Sequence, residues 1–419
     1  MQDARGRPRR SGHDARAPQS VTRTHLKVLE IMAHFRNSSI NLLNLHYALH
    51  ALALSGGGAF YGVFLLKAGV SAPLVLASLS LVNVLRFSLR PLVLAPVRRL
   101  GLKPVVVAGT LLCTLQYPLL AHVHRADLTM LALIVVSAVG DTVYWTPYHA
   151  FYALTGEAAE RGRQLGIREG LATLAGVVAP LATGWALASY GPQVAFYATA
   201  AVVFVAALPI LGAENVQIAA AAPQAFRAAL RGAALFAVDG WRYGAGVVWS
   251  IALFLSLGES FTGYGGAVAL AAIVGAASGL ALGRFLDLGH GRRIVWGVAA
   301  LLAIVDVMRA GSYGSPVLAV AANAAAALGG ALYMPTLMTA IYNLAKDSPC
   351  ALRFQIAADG GWDAGAAGAC LTAAAILQLG APMPVAILLS LPATAALFWL
   401  LRGYYGRAGA GQASEAAGA

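Results

Sequence analysis

Long apolar stretches alternate along the chain with short clusters of glycine, proline and charged residues. A helix that crosses the hydrocarbon core of a bilayer needs about 20 mostly apolar residues, and most of these stretches reach that length. A membrane β-barrel would instead alternate polar and apolar residues. The predicted helices, α1 to α12, cover 40–66, 72–95, 104–121, 128–154, 165–189, 193–211, 234–257, 262–285, 294–310, 316–345, 354–379 and 382–402.

The composition supports the same interpretation. Of the 419 residues, 59% are hydrophobic and only 11% are charged, whereas soluble domains carry roughly 25% charged residues. So few charged residues argue against a soluble enzyme, a nucleic-acid-binding protein and a disordered scaffold. We therefore expect an all-α, multi-pass membrane protein whose partners include the lipid bilayer and no nucleic acid.

The basic residues predict the orientation of these helices. The net charge is +12, and the cytoplasmic loops of membrane proteins are enriched in Lys and Arg. If both termini are cytoplasmic, all but seven of the 29 Lys and Arg residues lie in cytoplasmic tails or loops. The exceptions are Lys67, Arg125 and Arg309 near the outer face and Arg86, Arg90, Arg168 and Arg242 within helices. We expect N-in, C-in topology.

The chain divides near its middle into two similar parts. The predicted regions are a basic cytoplasmic tail 1–37, a six-helix bundle 38–211, a cytoplasmic linker 212–233, a second six-helix bundle 234–405 and a cytoplasmic tail 406–419. A constant shift places Arg163, Glu169 and Gly170 over Arg353, Asp359 and Gly360. This repeat at the starts of α5 and α11 indicates a duplicated six-helix unit, which is a known transporter architecture.

Glycines recur at four-residue spacing on several helices, for example Gly240 and Gly244 on α7 and Gly361 and Gly365 on α11. This spacing lays small residues along one helix face, where two backbones can approach closely. The pattern is typical of static packing. The alternative is a sliding surface between the two bundles.

No catalytic or metal-binding motif is evident. The sequence has no HExxH, no GxSxG and no Walker-type phosphate loop. Its three cysteines have no spacing typical of disulfides or metal ligands. We therefore expect no enzymatic activity, no cofactor, no metal site and no ATP-driven transport within this chain.

The loop after α8 carries a family signature. Residues 283–293 read GRFLDLGHGRR, in which a glycine is followed four residues later by Asp287 and then by Gly-Arg-Arg. This segment resembles the loop signature of the major facilitator superfamily. The equivalent loop of the first bundle, 94–103, keeps a glycine and a basic residue but has Arg98 where the family usually has Asp.

The resemblance covers roughly residues 38–405 and implies a fold and a function. It implies two pseudo-symmetric six-helix bundles and a secondary active transporter of the bacterial inner membrane that works by alternating access. The expected substrate is a small molecule, the expected driving ion is H⁺, and the protein is expected to be a monomer. The alternative is a non-transporting member of the same fold that serves as a membrane scaffold, assembly factor or receptor.

The same loops predict a cytoplasmic latch. Basic residues in them can pair with charges at the starts of α5 and α11 in the opposite bundle. The predicted pairs are Arg292 and Arg293 with Glu169, and Arg98 and Arg99 with Asp359, with Asp287 at the turn. The alternative is that these are ordinary positive-inside residues.

Helices α1, α4, α7 and α10 are expected to line the central cavity. On α4, four residues share one face: Asp141, Tyr144, Trp145 and Tyr148. An acid beside aromatic rings suits a cationic or amphipathic ligand. The other candidate cavity residues are Asn44, Tyr47, His50, Asp239, Arg242 and Tyr333. Alternatively, the aromatic residues serve packing or the membrane interface, and Asp239 and Arg242 neutralise each other.

Charged residues within the helices are candidates for proton coupling, because a charge in hydrocarbon needs a partner or a cavity. Asp359 and Asp363 lie one turn apart on α11, so both cannot ionise cheaply and one is expected to hold a proton. The candidate proton sites are Asp363 and Asp141. Arg86 and Arg90 on α2 either receive an anionic substrate or reach cytoplasmic headgroups, and the second interpretation is favoured for Arg90. Asp306 is expected to pair with Arg309.

Overall fold

The computed structural model describes residues 38–156, 161–218, 222, 224–286 and 291–417, which form helices and no strands. Each observed helix is labelled by the predicted helix that it overlaps. Helix α1 is Ser38–Ala53 with Tyr61–Lys67, α2 is Ala72–Leu89 with Leu94–Leu100, α3 is Leu102–Ala121 and α4 is Leu128–Thr155. Helices α5 and α6 together are Arg161–Leu211, α7 is Leu230–Ser256, α8 is Phe261–Leu286, α9 is Gly291–Ser312, α10 is Pro316–Lys346, α11 is Ala351–Gln378, and α12 is Met383–Ile387 with Ser390–Ala417.

Helices α1 and α2 are interrupted, and α5 continues into α6 across a kink. A π-helical turn, Leu54–Gly58, divides α1, and a 3-10 turn, Arg90–Val93, divides α2. The boundary between α5 and α6 is Gly191, whose φ of 83° is a conformation that glycine adopts without steric cost. The following residue, Pro192, has no N–H with which to continue the helical hydrogen bonds.

Several helix bounds differ from the sequence prediction, and two of the differences change the predicted linker and tail. Helix α7 begins at Leu230, four residues earlier than predicted, and is preceded by a short helix, Ala225–Ala228. Helix α12 continues to Ala417 through the predicted cytoplasmic tail. No proline follows Pro392 in the sequence, so nothing in the backbone chemistry stops α12 where its apolar pattern ends.

Within the described residues, nine helical segments are long and apolar enough to cross a membrane by length and composition. One of the nine contains both α5 and α6. Helices α7 and α11 are not among them, and these two carry Asp239, Arg242, Asp359 and Asp363.

Helices α7 and α11 pack with their backbones in contact. A Cβ atom at Gly240 would overlap the carbonyl oxygen of Trp362, and one at Gly365 would overlap the carbonyl oxygen of Ala237. These glycines therefore serve close packing within the C-terminal helices (α7 to α12). Helix α1 meets α5 in a related way, since a Cβ atom at Gly56 would lie 2.8 Å from Thr183 Oγ1.

The N-terminal helices (α1 to α6) contact the C-terminal helices along two main seams, α2 with α11 and α5 with α8. At the second seam a Cβ atom on Gly184 would lie 2.6 Å from the carbonyl oxygen of Phe261, and one on Gly265 would overlap that of Pro180. If α2 is replaced by α8 and α11 by α5, each six places away in the order of helices, the first seam becomes the second. A duplicated six-helix unit would give this pattern of contacts.

The end of the bundle where α1 ends and α8 begins, which the sequence predicts to be the outer end, joins the two sets of helices. Phe60 is fully buried, and its ring centroid lies 5.2 Å from that of Tyr264 and 6.2 Å from that of Phe261. The Tyr264 hydroxyl donates to the carbonyl oxygen of Ala59 at 3.2 Å. Apolar contact and hydrogen bonding therefore hold this end closed.

Replacing Lys67 by alanine should reduce stability by less than about 1 kcal/mol, the usual contribution of an exposed ion pair. Lys67 Nζ lies 3.0 Å from Glu259 Oε2 at the outer end, and the two side chains are 46% and 43% exposed. Thermal unfolding of the purified protein at low and high salt measures the effect. The small loss should vanish at high salt, and a large loss that persists there would contradict the prediction.

The first part of the predicted linker is bound to the N-terminal helices. Asn215 Nδ2 donates to the carbonyl oxygen of Leu100 at 2.8 Å, and its Oδ1 accepts from the Lys103 amide at 3.1 Å. The amide of Glu214 donates to Ser39 Oγ at 3.0 Å. These bonds fix residues 214–215 against the turn between α2 and α3 and the start of α1.

Candidate functional site between the N-terminal and C-terminal helices

Two arginines on α2 form ion pairs with aspartates on α4 and α11. Arg90 donates to Asp363 through Nε and, at 2.9 Å, through Nη2, and its Nη1 lies 3.0 Å from Asp359 Oδ2. Arg86 Nε lies 3.0 Å from Asp363 Oδ1, and Arg86 Nη1 donates to Asp141 Oδ2 at 3.1 Å. Arg90 and Asp363 are 1% and 0% exposed. We call these five residues the ion network.

Neutral donors complete the hydrogen bonds of Asp359. Thr146 Oγ1 donates to its Oδ2 at 2.9 Å, and Gln355 Nε2 donates to its Oδ1 at 2.6 Å. His149 Nδ1 lies 3.7 Å from Asp359 Oδ1 and 3.2 Å from Gln355 Nε2. Burying a charge costs several kcal/mol unless it is paired and hydrogen-bonded, and these contacts offset that cost.

The ion network changes the interpretation of the α2 arginines. The prediction that Arg90 reaches the cytoplasmic headgroups is wrong, because its guanidinium is buried against Asp359, Asp363 and Thr146. Arg86, which the sequence left open, is also buried and joins α4 to α11. Both arginines neutralise carboxylates of the protein itself.

The predicted latch is only partly within the described residues. The pairing of Asp359 with Arg98 and Arg99 is wrong in this structure, because both arginines are exposed while Asp359 is buried and pairs with Arg90. Glu169 is exposed and pairs with its neighbour Arg168, with 2.6 Å between Glu169 Oε1 and Arg168 Nη2. The remaining predicted members lie outside the description: Asp287 entirely, and Arg292 and Arg293 in their side chains.

Two predicted local pairs are replaced by a contact between distant helices. Arg242 Nη1 lies 3.2 Å from Asp306 Oδ2 of α9 and also donates to Thr394 of α12. Among the described residues, neither the alternative pair of Asp239 with Arg242 nor the expected pair of Asp306 with Arg309 forms an ion pair. Side chains three residues apart on a helix are neighbours, but here the packing of α7, α9 and α12 provides the better partner.

Asp239 is bound by two neutral donors. The hydroxyl of Tyr333 on α10 donates to its Oδ1, and the indole Nε1 of Trp362 on α11 donates to its Oδ2 at 3.0 Å. Tyr243, one turn along α7, is 49% exposed, and its ring centroid lies 4.7 Å from that of Trp362. The structure therefore brings together the predicted cavity residues Asp239 and Tyr333.

The four residues that share one face of α4, here called the α4 stripe, lie in two different environments. Tyr144 and Tyr148 are fully buried, and Tyr144 Oη lies 2.8 Å from Nε2 of His46, which is itself fully buried. His50 is buried beside them, with its ring centroid 4.3 Å from that of Tyr144. These side chains pack among the N-terminal helices, as their alternative interpretation expected.

Two further predicted cavity residues also lie among the N-terminal helices. Asn44 is buried, and its Nδ2 donates to the carbonyl oxygen of Gln164 at 3.4 Å. The ring of Tyr47 stacks on that of Tyr148 at 5.7 Å and lies beneath the Arg168 guanidinium at 4.7 Å. This set stabilises the junction of α1, α4 and α5.

Asp141 and Trp145, on the same stripe, remain partly exposed. Asp141 binds Arg86, whose guanidinium carbon lies 5.3 Å from the ring centroid of Trp362 on α11. Asp141 thereby connects through Arg86 to the partly exposed pair of Tyr243 and Trp362. A carboxylate, a guanidinium and aromatic faces meet where the N-terminal and C-terminal helices touch, an arrangement that suits recognition of a cation or a planar polar group.

Sequence reasoning did not assign Trp362, Thr146 or Gln355 to the site. A usable signal existed for the ion pairs themselves. Two arginines four residues apart on α2 face two aspartates four residues apart on α11, and this equal spacing lets both pairs form when the helices run side by side. Nothing in the sequence indicated Trp362, whose role depends on the contact between α2 and α11.

Residues 45–347 of the chain match the family model described as Major Facilitator Superfamily. The chain belongs to the major facilitator superfamily. A comparison with the curated proteins gives no match.

Solved superfamily structures of similar fold include transporters of different substrates. An auto-inhibited POT family peptide transporter is 12% identical, with 88% of this chain and 96% of that chain covered and a TM-score of 0.66. A POT family transporter in complex with a thioalcohol-conjugated peptide is 10% identical, covers 86% and 95%, and has a TM-score of 0.68. The nucleoside transporter NupG is 12% identical, covers 88% and 98%, and has a TM-score of 0.63. These likenesses establish the fold of a multi-pass membrane protein.

Proposed function

We propose that this chain is a proton-coupled secondary active transporter that moves a small molecule across the bacterial inner membrane by alternating access. Membership of a transporter superfamily supports transport as the general function. The observation that carries the finer proposal is the ion network, which joins α2 and α4 to α11. Charges buried in a membrane protein mark functional sites more often than structural ones.

Alternating access requires contacts that separate when the N-terminal helices rock against the C-terminal helices. The ion network and the outer-end cluster of Phe60, Phe261 and Tyr264 both lie between these sets. Three carboxylates face two guanidiniums in the network, so its formal charge is −1 when all five groups are ionised. One added positive charge, from a proton or a cationic substrate, would balance it.

The proposed substrate is an organic cation or an amphipathic molecule with a positive group. It would bind where Asp141, Trp145, Tyr243 and Trp362 meet, with a ring face against the positive group. Asp141 already holds Arg86 at 3.1 Å. A bound cation would therefore compete with Arg86 for Asp141 and release Arg86 toward Asp363.

Asp141→Asn should abolish the thermal stabilisation that a cationic ligand gives to the wild-type protein. A library of small molecules is screened by thermal shift on purified protein, and each hit is repeated on the variant. A ligand at 100 times its Kd raises stability by about 2.7 kcal/mol, and removing the pairing carboxylate should remove most of this. Asp127→Asn, in the exposed loop before α4, is the matched control and should keep the full shift.

Flux in proteoliposomes decides whether binding leads to transport. A confirmed hit should accumulate in vesicles when a pH gradient is imposed and should not accumulate when the gradient is collapsed. Equal uptake with and without the gradient would contradict proton coupling. The absence of both hits and flux would contradict the transporter proposal.

The second candidate function is a membrane scaffold or receptor of the same fold. The observation that favours it is the dense packing of His46, Tyr144 and Tyr148, since a scaffold has no need of a wet cavity at these positions. Such a protein would co-purify with a stoichiometric partner and show no gradient-driven flux. We place it second because it does not account for the buried charges between α2 and α11.

A further inference from the structure

Asp239, which is partly buried, differs from the other aspartates within the described helices. Asp141, Asp359 and Asp363 each have an arginine partner in the ion network, and Asp306 pairs with Arg242. In the described part of the chain, Asp239 has no ion pair. Its hydrogen bonds come from the Tyr333 hydroxyl and the Trp362 indole, both neutral.

The charged groups around Asp239 are engaged elsewhere. Arg242 on its own helix pairs with Asp306 of α9. Asp363, next to Trp362 on α11, pairs with Arg86 and Arg90 of α2. A partly buried carboxylate without an ion pair gains by binding a proton, because neutralisation reduces the cost of burying its charge.

Tyr333 and Trp362 can form hydrogen bonds with Asp239 whether its carboxyl group is ionised or protonated. A tyrosine hydroxyl both donates and accepts, so Tyr333 can donate to the carboxylate or accept the O–H of the carboxylic acid. The indole N–H of Trp362 can donate to an oxygen in both forms. Asp239 can therefore keep hydrogen bonds to Tyr333 and Trp362 in both protonation forms, as reversible proton binding requires.

Trp362 connects Asp239 to the ion network. Its N–H bonds Asp239 while its ring lies 5.3 Å from the guanidinium carbon of Arg86. Arg86 in turn bridges Asp141 and Asp363. A hydrogen bond to an ionised carboxylate is about twice as strong as one to a neutral acceptor. Protonation of Asp239 therefore loosens the hold on Trp362 and frees the ring face on which Arg86 rests.

We propose that Asp239 is the site at which the driving proton binds, and that Trp362 transmits its charge state to Arg86 and thus to the contact between α2 and α11. This inference rests on the proposed proton-coupled function and names the site for it. It differs from the sequence-based expectation of Asp363 and Asp141, because the structure provides those two carboxylates with arginine partners.

Infrared spectroscopy of the full chain in lipid tests the proton site directly. The C=O stretching band of a protonated carboxylic acid is followed through a pH titration of wild type, Asp239→Asn and Asp363→Asn. We expect one pH-dependent band in the wild type, its loss in Asp239→Asn and its retention in Asp363→Asn. A band that survives in Asp239→Asn, or a wild type with no pH-dependent band, would overturn the proposal.

A milder variant keeps the test decisive if Asp239→Asn does not fold. Tyr333→Phe removes one hydrogen bond from the same carboxyl group and leaves Asp239 in place. The band must then shift in frequency, and an unshifted band would assign it to another residue. This measurement needs neither substrate nor flux, so a failure of the proposed transport activity and a failure of the proton site give separate results.

Coupling is measured at the outer end. A cysteine introduced at Ala59, which accepts the Tyr264 hydrogen bond, should react with a polar maleimide at a pH-dependent rate as this end opens. The native cysteines are buried and provide a low background. Because the thiolate is the reactive form and its fraction rises with pH, each rate is divided by that of a free cysteine at the same pH. We expect Asp239→Asn and Trp362→Phe to abolish the pH dependence of this ratio, and an unchanged pH dependence of the ratio in Trp362→Phe would refute transmission through this indole.

Discussion

Replacing Arg90 by methionine should destabilise the purified protein by about 3–5 kcal/mol, the usual cost of removing one partner from a buried ion pair. Arg90 is the only residue that contacts both Asp359 and Asp363 within the ion network. Without it, Asp363 keeps an ion pair with Arg86, whereas Asp359 keeps only Thr146, Gln355 and His149 as neighbours among the described residues. Denaturant or thermal unfolding in detergent measures the loss.

The matched control is Arg98→Met, which removes the same charge from an exposed position on the same helix. It should change stability by no more than about 0.5 kcal/mol, as expected for a surface substitution. Adding Asp359→Asn to Arg90→Met should recover part of the loss, because the unpaired charge of Asp359 is then removed. Equal losses in Arg90→Met and Arg98→Met, or no recovery in the double variant, would mean that the ion network does not stabilise the fold.

Gly365→Ala should destabilise the protein by about 1–3 kcal/mol or more, the range observed when a group is forced into a packed interior. The new methyl group would overlap the carbonyl oxygen of Ala237. The overlap can be removed only if α7 and α11 move apart, because the carbonyl oxygen of Ala237 belongs to the backbone and cannot rotate away. Thermal unfolding in detergent reports the loss of stability.

Gly246→Ala is the control on α7, because a Cβ atom there has no neighbour within 4 Å. It should be neutral or should stabilise by up to about 1 kcal/mol, since alanine is a better helix former than glycine. The two substitutions add the same atom and are expected to act with opposite sign. A similar shift for both would show that the contact between α7 and α11 tolerates an added methyl group.

The sequence predicted the helices well because membrane-spanning segments depend on local composition. Apolar length and glycine or proline punctuation are properties of single stretches of chain, and they located α3, α4 and α10 to within a few residues. The end of α12 was the exception. There the apolar pattern stopped, but no residue prevented the helix from continuing.

The candidate site was predicted only in part, because its pairs form between distant helices. Local spacing suggested Asp306 with Arg309, whereas packing placed Asp306 beside Arg242 from another helix. Likewise the α4 stripe was recognised, but its division into buried Tyr144 and partly exposed Trp145 depends on where the neighbouring helices lie. Periodicity identifies which residues share a face and does not reveal what that face contacts.

The anchoring of Asn215 limits the mechanical tether between the two sets of helices. Glu214, Asn215 and the carbonyl oxygen of Val216 are bonded to the N-terminal helices, and Ala225, at the start of the short helix before α7, is fully buried. The connection between these two anchored points is 217–224, and eight residues of extended chain reach at most about 29 Å. Insertions after residue 216 would lengthen the connection between the two sets of helices and leave the contacts at both of its ends intact. Insertions before residue 216 would break the hydrogen bonds of Glu214 and Asn215 with the N-terminal helices.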